Sequence, residues 1–533
     1  MLRFTVYRDG TVCDEIELSG AYAFGQEGIP VRADLVAEGG QITCAKRIPG
    51  PAGLAVLWDA GDAGRFLLPT TRLPDRPQPY NLNLELARAQ VLRIARKRED
   101  WGLFDYAAAA ELNRRFDQVR RDFVEALKAD DPPEAARRAD RALVKSLTLG
   151  EQVALFHADI FVQRRRASRA AAGRKHFGCA VDLLSDPHHH HTRLSEAFDF
   201  VSVPTPWKHM EPDEARYQYG GIDAWVNWAA RASRPVHAGP VLSFAPDHLP
   251  EWLYIWEHDY ETIRDLIYEH IQRTVQRYAR HVSVWKVVSG IHAHNGFDLT
   301  FEQIRELTRM SCLWVRKLVP GAKIVIELVM PFSEYYAHNQ RTIPALLYAD
   351  TAVQYGVNFD AFGVQVLMGA ADDGYYVRDL LQLSTLLDEF ASLGKPVHVT
   401  ACGVPSDTSP DAWDAWGGRA RSDAAGNWHT PWSPRLQAEW LQAFYRIGIS
   451  KPFVESVCWR DLADYEGHHL PHGGLCRNDL TPKLAYRELR NFRAAVAGRA
   501  ATGATGDPAK PGQTGSGGHE PRRTGRTRPG ARQ

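Results

Sequence analysis

The chain has 533 residues, of which 44% are hydrophobic and 24% charged, with 64 Lys and Arg against 64 Asp and Glu. That length exceeds what one hydrophobic core supports, so two or three domains are expected, one of them a large barrel. The balanced charge gives no electrostatic footprint for nucleic acid, and no apolar run reaches membrane-spanning length.

The arginines at Arg164 to Arg166 and among Arg522, Arg523, Arg526 and Arg528 read as a solvated helix face and a loose tail. The opening segment from Met1 to Gly10 lacks the apolar core of a secretory signal, which makes a cytoplasmic location the expectation. Seven scattered cysteines with no CxxC pair are expected to be reduced, buried thiols. No metal and no other cofactor is implied, and nothing in the sequence sets an oligomeric state.

From Leu2 to about Leu73 short runs alternate: Leu2, Phe4 and Val6 with Arg3, Thr5 and Tyr7, then a turn at Asp9-Gly10 and further runs at Val31–Val36, Ile42–Cys44, Leu54–Trp58 and Phe66–Leu68. A small β-sandwich over residues 1–80 follows. Residues 81–170 are rich in Ala, Leu, Arg and Glu at helical spacing and read as a helical connector, broken at Asp130-Asp131-Pro132-Pro133. Residues 171–497 alternate apolar β runs with amphipathic stretches. Eight such runs occur, at Phe177–Val181, Phe198–Val203, Pro235–Phe244, Val282–Ser289, Ala322–Met330, Phe359–Leu367, Pro396–Val404 and Phe453–Leu462. Helices are expected between them, including Ile222–Ala232, Tyr260–Arg280, Phe301–Leu318, Thr342–Tyr355, Tyr376–Leu393 and Pro434–Ile447, with a short first connection. Eight strands with helices between them predict an α/β fold, a closed (β/α)8 TIM barrel. Residues 498–533 are expected to be disordered.

Such a barrel builds its site from the loops at the carboxyl ends of its strands. Those positions carry Asp186 and His188–His191, Trp207-Lys208, Asp247, His248 and Trp252, Ser289-Gly290 with His292 and His294, Glu327, Gln365, Thr400-Ala401-Cys402, and Trp459, Arg460, Asp461 and Asp464. Indoles for stacking beside polar groups for hydroxyls suit a carbohydrate. The histidines after strand one, with His468, His469 and His472 after strand eight, are expected on surface loops, because four consecutive histidines cannot all face one ion.

An ordered set of segments then resembles glycoside hydrolase family 10, best known as endo-β-1,4-xylanases. It comprises Trp207-Lys208 with Glu211-Pro212 and Tyr217, Leu249-Pro-Glu-Trp-Leu253, Val284-Trp-Lys-Val-Val288, Asp360-Ala-Phe-Gly-Val-Gln365, Leu393-Gly-Lys-Pro-Val-His-Val-Thr400, Trp459, and Asn478-Asp-Leu-Thr-Pro-Lys-Leu-Ala-Tyr486. The resemblance implies an oligosaccharide or glycoconjugate ligand held by Trp207, Lys208, Trp252, Ser289, Gln365 and Trp459. It also locates what is missing. A retaining glycosidase needs two carboxyl groups about 5–5.5 Å apart. The family places glutamates at the ends of strands four and seven, where this chain has Gly290 and Ala401. The family's sugar-binding histidines are likewise replaced, after strand three by Gly239–Phe244 and after strand six by Leu367.

The expectation is therefore a catalytically degenerate glycan-binding relative, joined to a carbohydrate-binding-module-like sandwich. Two alternatives stand beside it. One is an active glycosidase using relocated carboxylates, with Glu327 and Asp461 as fallback candidates and Asp464 nearby, an inverting pair tolerating about 6.5–9.5 Å. The other is a non-catalytic scaffold. Cys402, one residue past the lost nucleophile, is expected to point away from the position of Ala401.

Overall fold

The computed structural model describes residues 1–167 and 176–497. The expected tail, with Arg522, Arg523, Arg526 and Arg528, lies outside the described residues.

Eight parallel strands form the barrel: Phe177–Ala180, Phe200–Val203, Val236–Ala238 continued by Leu242–Ser243, Val282–Ser289, Lys323–Leu328, Ala361–Leu367, Val397–Gly403 and Val454–Trp459. Each pairs with the next, and the eighth pairs with the first through Phe177↔Val457, which closes the sheet. The third strand is interrupted at Gly239, where an added Cβ would lie 2.3 Å from the Lys286 carbonyl oxygen, so only glycine lets strand four approach. Helices follow every strand, at Pro187–Ala197, Gly220–Arg231, Tyr260–Tyr278, Phe301–Leu318, Ala345–Gln354, Leu380–Ser392, Pro434–Ser450 and Leu484–Val496.

The first connection departs from expectation. It is a helix, and the four histidines occupy its opening turns, not a surface loop. Asp186 caps it by accepting from the His188 N–H at 2.9 Å, and Pro187 holds the first helical position. His190 is buried under Trp225 while its neighbours face solvent.

The amino-terminal region folds as two larger sheets and a two-stranded hairpin of Tyr7–Arg8 with Thr11–Val12. One orders Tyr80–Asn81, Leu2–Thr5, Gln41–Lys46 and Ala33–Glu38; the other orders Gly64–Pro69, Gly53–Asp59, Tyr22–Phe24 and Pro30–Val31. The second sheet gains an edge strand from the barrel, Asn427–Trp428, out of the loop after strand seven. Alternation gives this sheet two buried faces. Leu54, Val56, Trp58, Phe66 and Leu68 join Leu2, Phe4, Ile42 and Cys44 in the main core. Tyr22, Phe24, Ala55, Leu57 and Leu67 pack on Ala337 and Tyr376, in the loops after strands five and six. The sheets therefore rest on the loop side of the barrel.

Of the helices Leu82–Asp100, Ala110–Leu127 and Pro132–Ala167, the second and third separate at the Asp-Asp-Pro-Pro run, while a further break at residues 101–109 divides the first from the second. The third packs along the barrel's outer helices Leu380–Ser392 and Pro434–Ser450. Glu151 of the third helix accepts from the Trp428 indole at 2.6 Å, and Asp388 of the barrel receives Lys97 of the first helix at 3.0 Å beside the barrel's own Lys451 at 2.5 Å.

At the amino-terminal end of the barrel, Glu455 receives His398 Nε2 at 3.1 Å and the Lys323 ammonium. The His398 hydrogen bond, aided by Lys323 against the opposing effect of burial, holds its carboxyl at about 2. Its ordinary value is 4.5, so folding lowers the pKa, and the stabilisation is complete above that pH and disappears as the folded form protonates near 2. Melting temperature followed from pH 5 to pH 2 should fall less steeply in Glu455→Gln than in the parent, the variant starting lower; parallel curves would contradict this.

Candidate functional site

Strand four delivers Ser289 and Gly290 to the barrel mouth, and strand seven delivers Ala401. Gly290 has φ +63°, and a Cβ there would stand 3.0 Å from Val329 Cγ2 and 3.1 Å from His294 Cδ2. Ala401 lies in an apolar cluster with Leu367, Ala370 and Leu470, covered by Tyr375 and Trp416. Phe244, where the family resemblance places a polar subsite, is buried edge-on against Phe297 at 5.3 Å. Ala401 and Leu367 thus sit among hydrocarbon and Phe244 is buried, while Gly290 lies between Val329 and the His294 ring.

Glu327 lies just beneath, 1% exposed, accepting from Ser289 Oγ at 2.5 Å with Lys286 Nζ 3.9 Å away. Burial alone would raise its pKa, but Lys286, the Ser289 and Thr400 hydroxyls and Arg460 together hold it below the usual carboxylate range. A group kept ionised in this way suits charge balance and not proton donation, for which a raised pKa is needed. Asp461 is buried and engaged by Tyr465 Oη at 2.6 Å and by the His469 N–H at 2.9 Å, which pin the loop after strand eight. Asp464 pairs with Lys483 at 2.6 Å. The Cys402 thiol is fully buried, and its desolvation drives its pKa well up.

The three anticipated indoles are placed in packing. Trp207 stacks on His270 at 4.3 Å and donates to Glu211 Oε2 at 2.8 Å. Trp252 meets Trp207 edge-on at 5.9 Å and donates to the Glu211 carbonyl at 2.9 Å, so this pair knits the loops after strands two and three. Trp459 has no exposed face; it donates to the Gly473 carbonyl at 3.0 Å and lies against Trp440. Lys208 pairs with Glu251 at 3.1 Å in solvent, and Gln365 is half-buried.

Partly exposed aromatics do occur on the rim, two of them, Tyr375 and Trp416, outside the strand-end positions expected from the sequence. Tyr375, Trp416 and His469 come from the loops after strands six, seven and eight and meet pairwise at 5.4–5.6 Å. Tyr375 Oη bonds His469 Nε2 at 3.1 Å. Burial, reinforced by the Arg460 charge, pushes His469 down to about 4, so it is neutral at pH 7. Arg460 Nε is buried there without a hydrogen-bond partner among the described residues. The available signal was the Trp413 and Trp416 pair within a polar, glycine-bearing stretch. Among the described residues no group of three His, Cys, Asp or Glu is arranged to hold a metal ion, and no helix is long and apolar enough to cross a membrane.

Residues 166–422 match the family model for glycosyl hydrolase family 10. Over those residues the chain is similar to that family. Endo-1,4-beta-xylanase 2 of Aureobasidium pullulans is 22% identical over 256 residues, covering 44% of this chain and 66% of that enzyme. Endo-1,4-beta-xylanase 1 of Gibberella zeae is 20% identical over 250 residues, covering 45% and 70%. Among solved structures, native xylanase 10B from Thermotoga maritima aligns with a TM-score of 0.46 at 16% identity, over 63% of this chain and 98% of that one. The matched family segment of this family 10-like barrel stops before strand eight, which the chain nevertheless supplies as Val454–Trp459 with its closing helix Leu484–Val496. The amino-terminal sheets lie wholly outside that segment.

Proposed function

We propose that this family 10-like barrel recognises an oligosaccharide or glycoconjugate at the rim of its mouth and does not hydrolyse it. The observation that carries the reading is the pair Gly290 and Ala401, where the family mechanism needs an acid and a nucleophile. Neither residue can donate a proton or form a glycosyl ester. The surrounding chemistry agrees, since Ala401 sits among hydrocarbon and Glu327 is held ionised by Lys286 and Ser289. Recognition then falls to Tyr375, Trp416, His469 and Arg460, which together offer ring faces and hydrogen-bond donors of the kind sugars use. Because the similar proteins are named endo-1,4-beta-xylanases, xylo-oligosaccharides are the first ligands to test.

The apolar cluster around Ala401 and the packing of the sheet on the barrel loops favour a second reading, the scaffold, in which the barrel only carries the amino-terminal sheets. Substitution separates the two. Trp416→Ala should weaken xylo-oligosaccharide binding at least tenfold, about 1.4 kcal/mol, with the melting temperature little changed. Absence of binding to the parent protein at millimolar sugar would favour the scaffold.

A further inference from the structure

The loops after strands seven and eight bring together a second polar constellation that glycan recognition does not use. Ser409 and Asp411 stand on the first of these loops and His472 on the second. Ser409 Oγ lies 3.2 Å from His472 Nε2, and His472 Nδ1 lies 3.3 Å from Asp411 Oδ2. A hydroxyl on one imidazole nitrogen and a carboxylate on the other is the connectivity that activates a serine nucleophile.

The imidazole is firmly placed. The His472 N–H donates to the same Asp411 oxygen at 2.8 Å. Its carbonyl accepts from the Ser406 N–H at 3.2 Å, from Ser406 Oγ at 2.8 Å and from Lys483 Nζ at 2.9 Å. Its backbone has φ +48°, a left-handed value that a non-glycine residue keeps only where its surroundings over-determine it. Asp411 is largely buried. That burial would raise its pKa, but the backbone N–H groups of His472 and Trp413 and the His468 and His472 rings override it and keep the carboxylate ionised. His468 Nε2 lies 2.8 Å from the same oxygen.

Ser409 itself is exposed, within reach of an acyl donor in solution. Asp407 accepts its N–H at 2.8 Å and also approaches its hydroxyl, fixing the turn. His472 Nε2 also stands 3.2 Å from the Ser409 carbonyl oxygen. A neutral ring with its proton on Nδ1, toward Asp411, can accept the hydroxyl proton at Nε2 as Oγ attacks.

We propose that Ser409, His472 and Asp411 form a nucleophilic centre that takes the acyl group from small carboxylic esters. In acylation the bond from Oγ to the acyl carbon forms as the hydroxyl proton passes to Nε2; the ester C–O bond breaks, and that proton leaves with the alcohol. In deacylation water attacks the acyl-serine, one of its protons passes through Nε2 back to Oγ, and the carboxylic acid departs. The sum is ester plus water giving acid plus alcohol, with no redox change. Asp411 is a positioning residue, acting through the imidazole.

The test uses the full chain with a fluorophosphonate probe, which loses fluoride on phosphonylating an activated serine, and maps the adduct by mass spectrometry beside p-nitrophenyl acetate hydrolysis. The expected result is an adduct on Ser409, absent in Ser409→Ala and in His472→Gln, with ester hydrolysis at least tenfold slower in Ser409→Ala. Asp411→Asn should lower kcat at least tenfold with little change in KM, which a loop that merely loosened would not produce. Because Ser409→Ala removes only an exposed hydroxyl, its fold should survive. No adduct on Ser409 under conditions that label a known serine hydrolase, or unchanged ester hydrolysis in Ser409→Ala, would overturn the proposal.

Discussion

Placing glutamate at position 401 is expected to cost about 3–5 kcal/mol, the scale of a buried charge left without a partner. Ala401 is 2% exposed and has Leu367, Ala370 and Leu470 for neighbours, so a carboxylate there is desolvated among hydrocarbon side chains. The added volume brings a further overpacking penalty of about 1–3 kcal/mol. Glutamate at position 290 meets a different obstacle, a left-handed backbone with Val329 and His294 close to the new Cβ. The double change Gly290→Glu with Ala401→Glu should therefore restore no xylanase activity, and urea unfolding should show the loss of stability. Measurable hydrolysis by that variant would mean that the subsites survive intact and that only two side chains were exchanged.

Arg378→Met is expected to have an effect of similar size at the junction between the sheets and the barrel. Arg378 and Glu334 pair at 2.5 Å with side chains 2% and 1% exposed. The guanidinium also donates to the Leu67 carbonyl at 3.3 Å and stands 3.5 Å from Tyr22 Oη, so one side chain ties the loops after strands five and six to the amino-terminal sheet. Removing it strands Glu334 as a buried, unpaired charge, at about 3–5 kcal/mol. Replacing both partners, as in Arg378→Met with Glu334→Leu, should recover most of that loss, because the penalty lies in the orphaned charge more than in the lost attraction. A single-variant cost below about 1 kcal/mol would indicate that the pair behaves as a solvated one.

The barrel was legible because its signal is local and repeated. Each buried strand reads as a short apolar run, each outer helix as an amphipathic stretch, and Phe301–Leu318 has the same bounds in sequence and structure. The helix at Pro187 was missed although Asp186-Pro187 is a helix-start pair; the run of histidines was given more weight than its cap. No local pattern could show that Asn427 and Trp428 extend a sheet built from the first residues of the chain, since that pairing is settled by long-range packing. The tryptophans illustrate the remaining limit. A strand-end position says that an indole is near the mouth, but not which way it turns, and Trp207 turns to His270 while Trp459 turns to Trp440. The rim groups Tyr375 and Trp416 stand on loops with no periodicity, and only the fold brings them to His469.

Calorimetric titration of xylohexaose into the protein tests the central claim most directly, because one trace reports both binding and turnover. A binding protein without turnover gives injections that saturate to a simple isotherm, with no continuing heat and an intact hexasaccharide recovered afterwards. Sustained heat with released shorter sugars, lost in Glu327→Gln or Asp461→Asn, would contradict it and assign catalysis to carboxylates now seen bound to Ser289 and Tyr465.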